Sequence, residues 1–76
     1  MANLIDYTLF IELNPQTRFG QPVIKDTRIT VYDVLGWLAS GMTYKEISED
    51  FPQIHEQHIL ACLAYAANWE RKLKVG

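Results

Sequence analysis

The stretch Gly41-Met42-Thr43-Tyr44-Lys45-Glu46-Ile47, continued by Asp50-Phe51-Pro52-Gln53-Ile54 and reaching Ile59, decides the fold. Thr43 and Glu46 stand three apart as a capping box, in which the hydroxyl takes the Glu46 amide and the carboxylate takes the Thr43 amide. That predicts a short helix opening after Thr43, with Tyr44, Ile47 and Phe51 along one face. Pro52 lacks a backbone donor and disfavours helix in the residue before it, so this helix ends there. A longer helix then starts near His55 or Glu56 and runs to about Lys74, with Ile54 placed as a hydrophobic staple. Ile59, Leu60, Leu63, Ala64 and Ala67 form its apolar stripe, read as the core face. Arg71, Lys72 and Lys74 in its last turns suit the negative end of the helix dipole. A glycine turn, a capped short helix, about four connecting residues and a longer helix make the cadence of a helix-turn-helix.

Upstream, Thr30 and Asp33 repeat the capping box, and Val31, Val34, Leu35 and Leu38 fall at i, i+3, i+4 and i+7. Gly41 is placed to end that first helix in a left-handed conformation. Before Thr30 the chain reads as extended. Thr8-Leu9-Phe10-Ile11-Glu12-Leu13 is rich in strand formers, Asn14-Pro15 stops it, and Asn14 to Pro22 is a loop. Val23-Ile24 is a second strand and Lys25-Asp26 a turn. A lone hairpin is marginal in water, so these strands must pack on the helices or on another chain. The expected fold class is mainly α: a short N-terminal β-hairpin or extended segment, then a three-helix, homeodomain-like helix-turn-helix bundle. One domain is expected over 1–76, with the β-element and loop in 1–29 and the helical unit in 30–74.

Composition narrows the function classes. Seven Lys+Arg against nine Asp+Glu give a net charge of −2 in 76 residues, which excludes a domain held on nucleic acid by bulk charge. The distribution is uneven: residues 1–30 are neutral, 31–60 carry −4 and 61–76 carry +2. Two Trp, four Tyr and three Phe are more aromatic surface than so small a core hides, so part of it is expected to face a partner. One cysteine permits no intrachain disulfide, and a reducing, cytoplasmic compartment fits. The start Met1-Ala2-Asn3-Leu4-Ile5-Asp6 reads as no signal peptide, and no apolar run approaches the ~18 residues of a membrane span.

Few residues invite chemistry. Cys62 lies inside the apolar stripe and reads as a small core residue rather than a nucleophile. His55 and His58, three apart, lack the further ligands a metal site needs. Glu46 is used by its cap, and Glu49 and Asp50 sit on a short solvated helix, away from the burial that makes a carboxylate a general acid. Isolated glycines form no phosphate loop. No catalytic, cofactor-binding or metal-binding residue is therefore assigned, and no cofactor is expected. If the helix-turn-helix reads DNA, the exposed candidates are His55, Glu56, Gln57, His58 and Ala61, with Gln57 suited to an adenine edge. Arg28 reads first as a salt bridge or carbonyl clamp that fixes the loop to the first helix, and second as an anchor for a partner or for nucleic acid.

Asn14-Pro15, Gly20-x-Pro22-x-Ile24, Thr27-Arg28-Ile29-x-Val31, Gly41-Met42-Thr43, Glu46-Ile47, Asp50-Phe51-Pro52 and Ala61-x-Leu63-x-Tyr65-Ala66 resemble the domain-of-unknown-function 433 family, from about Ile11 to Ala67. The resemblance implies a small prokaryotic antitoxin-like protein with a homeodomain-like helix-turn-helix and an N-terminal β-element. It also implies a PIN-like nuclease toxin encoded next door as partner. One departure is Asp26, where the family usually has Gly before Thr-Arg, which points to a backbone needing positive φ. The function expected is thus a non-enzymatic module that pairs with such a toxin and autoregulates its operon through operator DNA. The alternative is a stand-alone DNA-binding transcriptional regulator or adaptor. Tyr7, Phe10, Phe19 and Arg28 are the expected partner-binding residues. A homo-oligomer is expected, because a dimer would close the open hairpin edge.

Overall fold

The computed structural model describes residues 5–16 and 18–75; the side chains of Arg18 and of residues 69–75 lie outside that description. The expectations for Met1 to Leu4, for the Arg18 cation and for the basic side chains of Arg71, Lys72 and Lys74 therefore fall outside the described residues. The chain makes a two-stranded antiparallel hairpin, β1 (Ile11–Leu13) and β2 (Pro22–Ile24), followed by α1 (Val31–Ala39), α2 (Tyr44–Asp50) and α3 (Glu56–Val75). It is a mainly α fold. Among the described residues no helix is long and apolar enough to cross a membrane.

Local chemistry sets each boundary. In both capping boxes the hydroxyl and the carboxylate exchange bonds with the backbone. Asp33 N–H donates to Thr30 Oγ1 at 2.9 Å and Thr30 N–H to Asp33 Oδ2 at 3.0 Å. Glu46 N–H donates to Thr43 Oγ1 at 3.2 Å and Thr43 N–H to Glu46 Oε1 at 2.9 Å. Each box satisfies two amides that a helix start leaves orphaned. Gly41 follows the C-cap Ser40 with φ 101°, a left-handed residue that ends α1.

The start of the chain departs from the sequence reading. Tyr7–Leu9 form a 3-10 turn rather than strand, because Asp6 Oδ1 accepts from the Thr8 amide at 3.1 Å and the Thr8 hydroxyl at 2.6 Å. A local side-chain acceptor has outcompeted the strand propensity of the segment. Pairing begins at Ile11, which faces Ile24.

The core comprises Ile11 and Ile24 from the hairpin, Val31 and Val34 from α1, Ile47 from α2, Ile54 from the α2–α3 turn, and Ile59, Ala61 and Cys62 from α3. Leu35, Leu38 and Phe51 pack partly buried against it. The α3 face is the second correction. Ala61, Cys62 and Ala64 point inward with Ile59, whereas Leu60 and Leu63 are 38% and 37% exposed and Ala67 is exposed. Ala61, expected at a DNA surface, is fully buried. Periodicity finds an apolar stripe but does not say which of two adjacent stripes turns inward, and the small residues let α3 approach the body closely. Tyr44, expected on the inner face of α2, is 37% exposed.

Candidate protein-binding face

The turn joining α2 to α3 is held at three points. Trp37 of α1 stacks on Phe51 with ring centroids 4.5 Å apart, the Ser48 hydroxyl donates to the Ile54 carbonyl at 2.9 Å, and the Ile54 amide donates to the Phe51 carbonyl at 2.8 Å. Ile54 and Ile59 are both buried in the core, as a hydrophobic staple requires. This turn presents the start of α3, where His55 and Gln57 are exposed. His58 is half-buried and already engaged: its Nδ1 accepts from the His55 amide at 2.9 Å, and its ring meets Phe10 edge-on at 5.4 Å. Burial and the neighbouring His55 both lower its pKa. An acceptor Nδ1 requires the neutral ring, so His58 serves the helix start.

The residues expected to bind a partner separate into two groups. Tyr7 and Phe10 pack partly buried against the core. Tyr7 lies edge-on to Tyr65 at 5.4 Å, and its hydroxyl accepts from Asn68 Nδ2 at 3.1 Å, tying the 3-10 turn to α3. Phe10 meets His58, so two residues assigned to different surfaces belong to one packed cluster. Phe19 is the opposite case, 97% exposed with φ 60° and ψ 32°. An L-residue in that left-handed conformation costs about 1 kcal/mol, and a solvated benzyl group repays none of it. Gly20 follows at φ 78°, so two successive left-handed residues turn the loop and aim Phe19 outward.

Exposed apolar side chains also occur on and just before β1, the strand that leads into the Phe19 loop. Ile11 and Leu13 share a strand face by alternation, yet Ile11 is 7% exposed and Leu13 64%. The core stops beneath Ile11 and the apolar face runs on past it. Leu9 is also 64% exposed. Among the described residues β1 pairs only with β2, while β2 is covered on its far side by the Ile24 amide to Ile29 carbonyl bond and the Val23 to Thr30 bridge. The open hairpin edge and Phe19 were expected from the sequence, whereas exposed Leu9 and Leu13 are surface features that sequence reasoning missed. The Phe19-Gly20 pair in a proline-bounded loop was the available signal. Arg28 is exposed, beyond a turn in which Asp26 takes φ 64° and the Thr27 amide donates to the Ile24 carbonyl at 3.1 Å. Asp26 therefore supplies the positive φ that a glycine would supply more cheaply.

Nothing among the described residues is arranged for catalysis at Cys62. Burial pushes its thiol up to about 12, so no thiolate forms near neutrality. No three of His, Cys, Asp and Glu among the described residues come together as metal ligands would.

Comparison with curated proteins finds no match. Among solved structures, the crystal structure of a DUF433 member protein from Anabaena variabilis ATCC 29413 shares the fold, with a TM-score of 0.75 at 23% identity. The superposition covers 84% of this chain and 63% of that one, so the present chain spans less than two thirds of its neighbour. The profile of a family described as a protein of unknown function, DUF433, matches residues 11–66. That match takes in the whole hairpin, α1, α2 and the first half of α3, and the chain belongs to the DUF433 family.

Proposed function

We propose that this chain is a non-enzymatic, cytoplasmic binding module of the antitoxin kind, whose hairpin face covers a PIN-like nuclease toxin. The observation that carries the reading is Phe19, an aromatic side chain 97% exposed on a strained backbone, in the loop that follows exposed Leu13 and β1, a strand that among the described residues pairs only with β2. Strain and solvated apolar surface at one place are compensated when a partner covers them. An extended segment of the partner adding to β1 would gain main-chain hydrogen bonds, with Leu13 and Phe19 as anchors. Inhibition of the toxin then needs only coverage, with no chemistry by this chain.

A second reading, a stand-alone DNA-binding regulator built on a helix-turn-helix of α2 and α3, draws on His55 and Gln57 at the exposed start of α3. The −4 charge of residues 31–60 opposes it, because phosphate contacts supply most non-specific affinity. Co-expression with the product of the adjacent gene discriminates the two. Copurification that survives Gln57→Ala and is lost with Phe19→Ser supports the toxin partner. Tight promoter binding by the chain alone, weakened by ~1–3 kcal/mol in Gln57→Ala, with no copurifying neighbour, defeats it.

A further inference from the structure

Helix α3 is packed with its smaller residues inward. Ala61, Cys62 and Ala64 face the core beside Ile59, while Leu60 and Leu63 are 38% and 37% exposed and Ala67 continues their line. Burying a leucine is favourable in proportion to the apolar area removed from water, so a helix serving only its own core would place its leucines inward. The spacing of 60, 63 and 67 is the a-d-a spacing of a helix-pairing seam. Glu56 stands on the same stripe, one turn before Leu60.

We infer that this stripe is a homodimer interface, in which α3 of one chain packs antiparallel against α3 of a second copy. The charge pattern selects that occupant and that direction. Along α3 itself the first turns hold the acid Glu56, and the last turns hold Arg71, Lys72 and Lys74 against Glu70, a net +2. Antiparallel pairing sets the acidic start of each helix beside the basic end of the other, and opposes the two helix dipoles. A parallel pair would set acid on acid and base on base. A two-fold axis also needs a self-complementary surface, where i meets j and j meets i. With the axis between Leu63 and Ala64, Leu60 lies opposite Ala67 of the second copy, large against small. The same register brings position 56 opposite position 71, Glu against Arg. This interface leaves the β1 edge open, and it does not rest on the nuclease reading.

Sedimentation equilibrium of the purified chain tests it. The expected mass is twice 8.8 kDa, falling towards 8.8 kDa as salt is raised. Leu60→Glu with Leu63→Glu should give 8.8 kDa with the helical circular dichroism unchanged, because both side chains are already part-exposed. Glu56→Arg should weaken association about tenfold, and Arg71→Glu in the same chain should restore it, which a mere folding defect would not do. A wild-type mass of 8.8 kDa up to about millimolar concentration overturns the interface. A dimer unmoved by the leucine and charge variants overturns its placement on α3, and gives the open β1 edge as the contact.

Discussion

Asp26 and Phe19 are the two residues other than glycine with positive φ among the described residues, at 64° and 60°, and they differ in purpose. Asp26 turns the chain between β2 and the cap of α1, and a short polar side chain tolerates that conformation better than most. Asp26→Gly is expected to raise stability by about 0.5 kcal/mol, since relief of strain outweighs the extra freedom of an unfolded glycine. Urea unfolding checks it, and a loss of stability would mean that the aspartate side chain holds the turn. Phe19 has no polar group to compensate its backbone, so Phe19→Gly should stabilise the isolated chain by about 1 kcal/mol while weakening the complex with the adjacent-gene product by at least ~1 kcal/mol. Opposite signs in the two assays are the signature of a residue kept for binding. A drop in both would make Phe19 structural.

The helix starts are the elements best read in advance, because a capping box is chemistry between residues three apart. Thr30 with Asp33, Thr43 with Glu46 and the glycine at 41 need no knowledge of the rest of the molecule. The α3 face was not legible for the same reason reversed: Leu60 and Leu63 follow a helical period, but inward or outward is decided by what α3 meets. Leu60 and Leu63 are part-exposed, while Ala61 and Cys62 are buried in the core to which α1, α2 and the hairpin also contribute. Hence Ile47→Ala, at a fully buried site, should cost about 2–5 kcal/mol, and Leu63→Ala less than ~1 kcal/mol of chain stability. Similar losses at both positions in thermal melts would return Leu63 to the core. The third helix start behaves differently from the other two, because its acceptor is the ring of His58. Its folded pKa is lowered, so the unfolded chain binds more protons as pH falls through the ordinary histidine range of about 6.5. The stabilisation is present in full above that value and is lost as pH drops through it towards the lowered folded value. His58→Gln keeps an acceptor at the third helical position, and should flatten the fall in urea midpoint between pH 7.5 and 5.5. An unchanged slope would place the titration elsewhere.

At the scale of the whole molecule, three helices and a hairpin hold one core, and among the described residues the β1 edge, the Phe19 loop and the outer stripe of α3 are left exposed. The aromatic surplus foretold uncovered surface but misplaced most of it. Tyr7 and Phe10 are held by Tyr65, Asn68 and His58, and these pairings across some fifty or sixty residues have no local signature. The function proposed depends on which surface meets the partner. Amide resonances of the labelled chain, followed while the purified adjacent-gene product is added, report that contact residue by residue. Amides of residues 9–13 and 18–21 are expected to shift or broaden in proportion to the added protein, while those of residues 55–58 stay in place. Promoter DNA at physiological salt should move neither set. Shifts confined to residues 55–58 on adding promoter DNA, with residues 9–13 and 18–21 untouched by the neighbouring product, would contradict the proposed function.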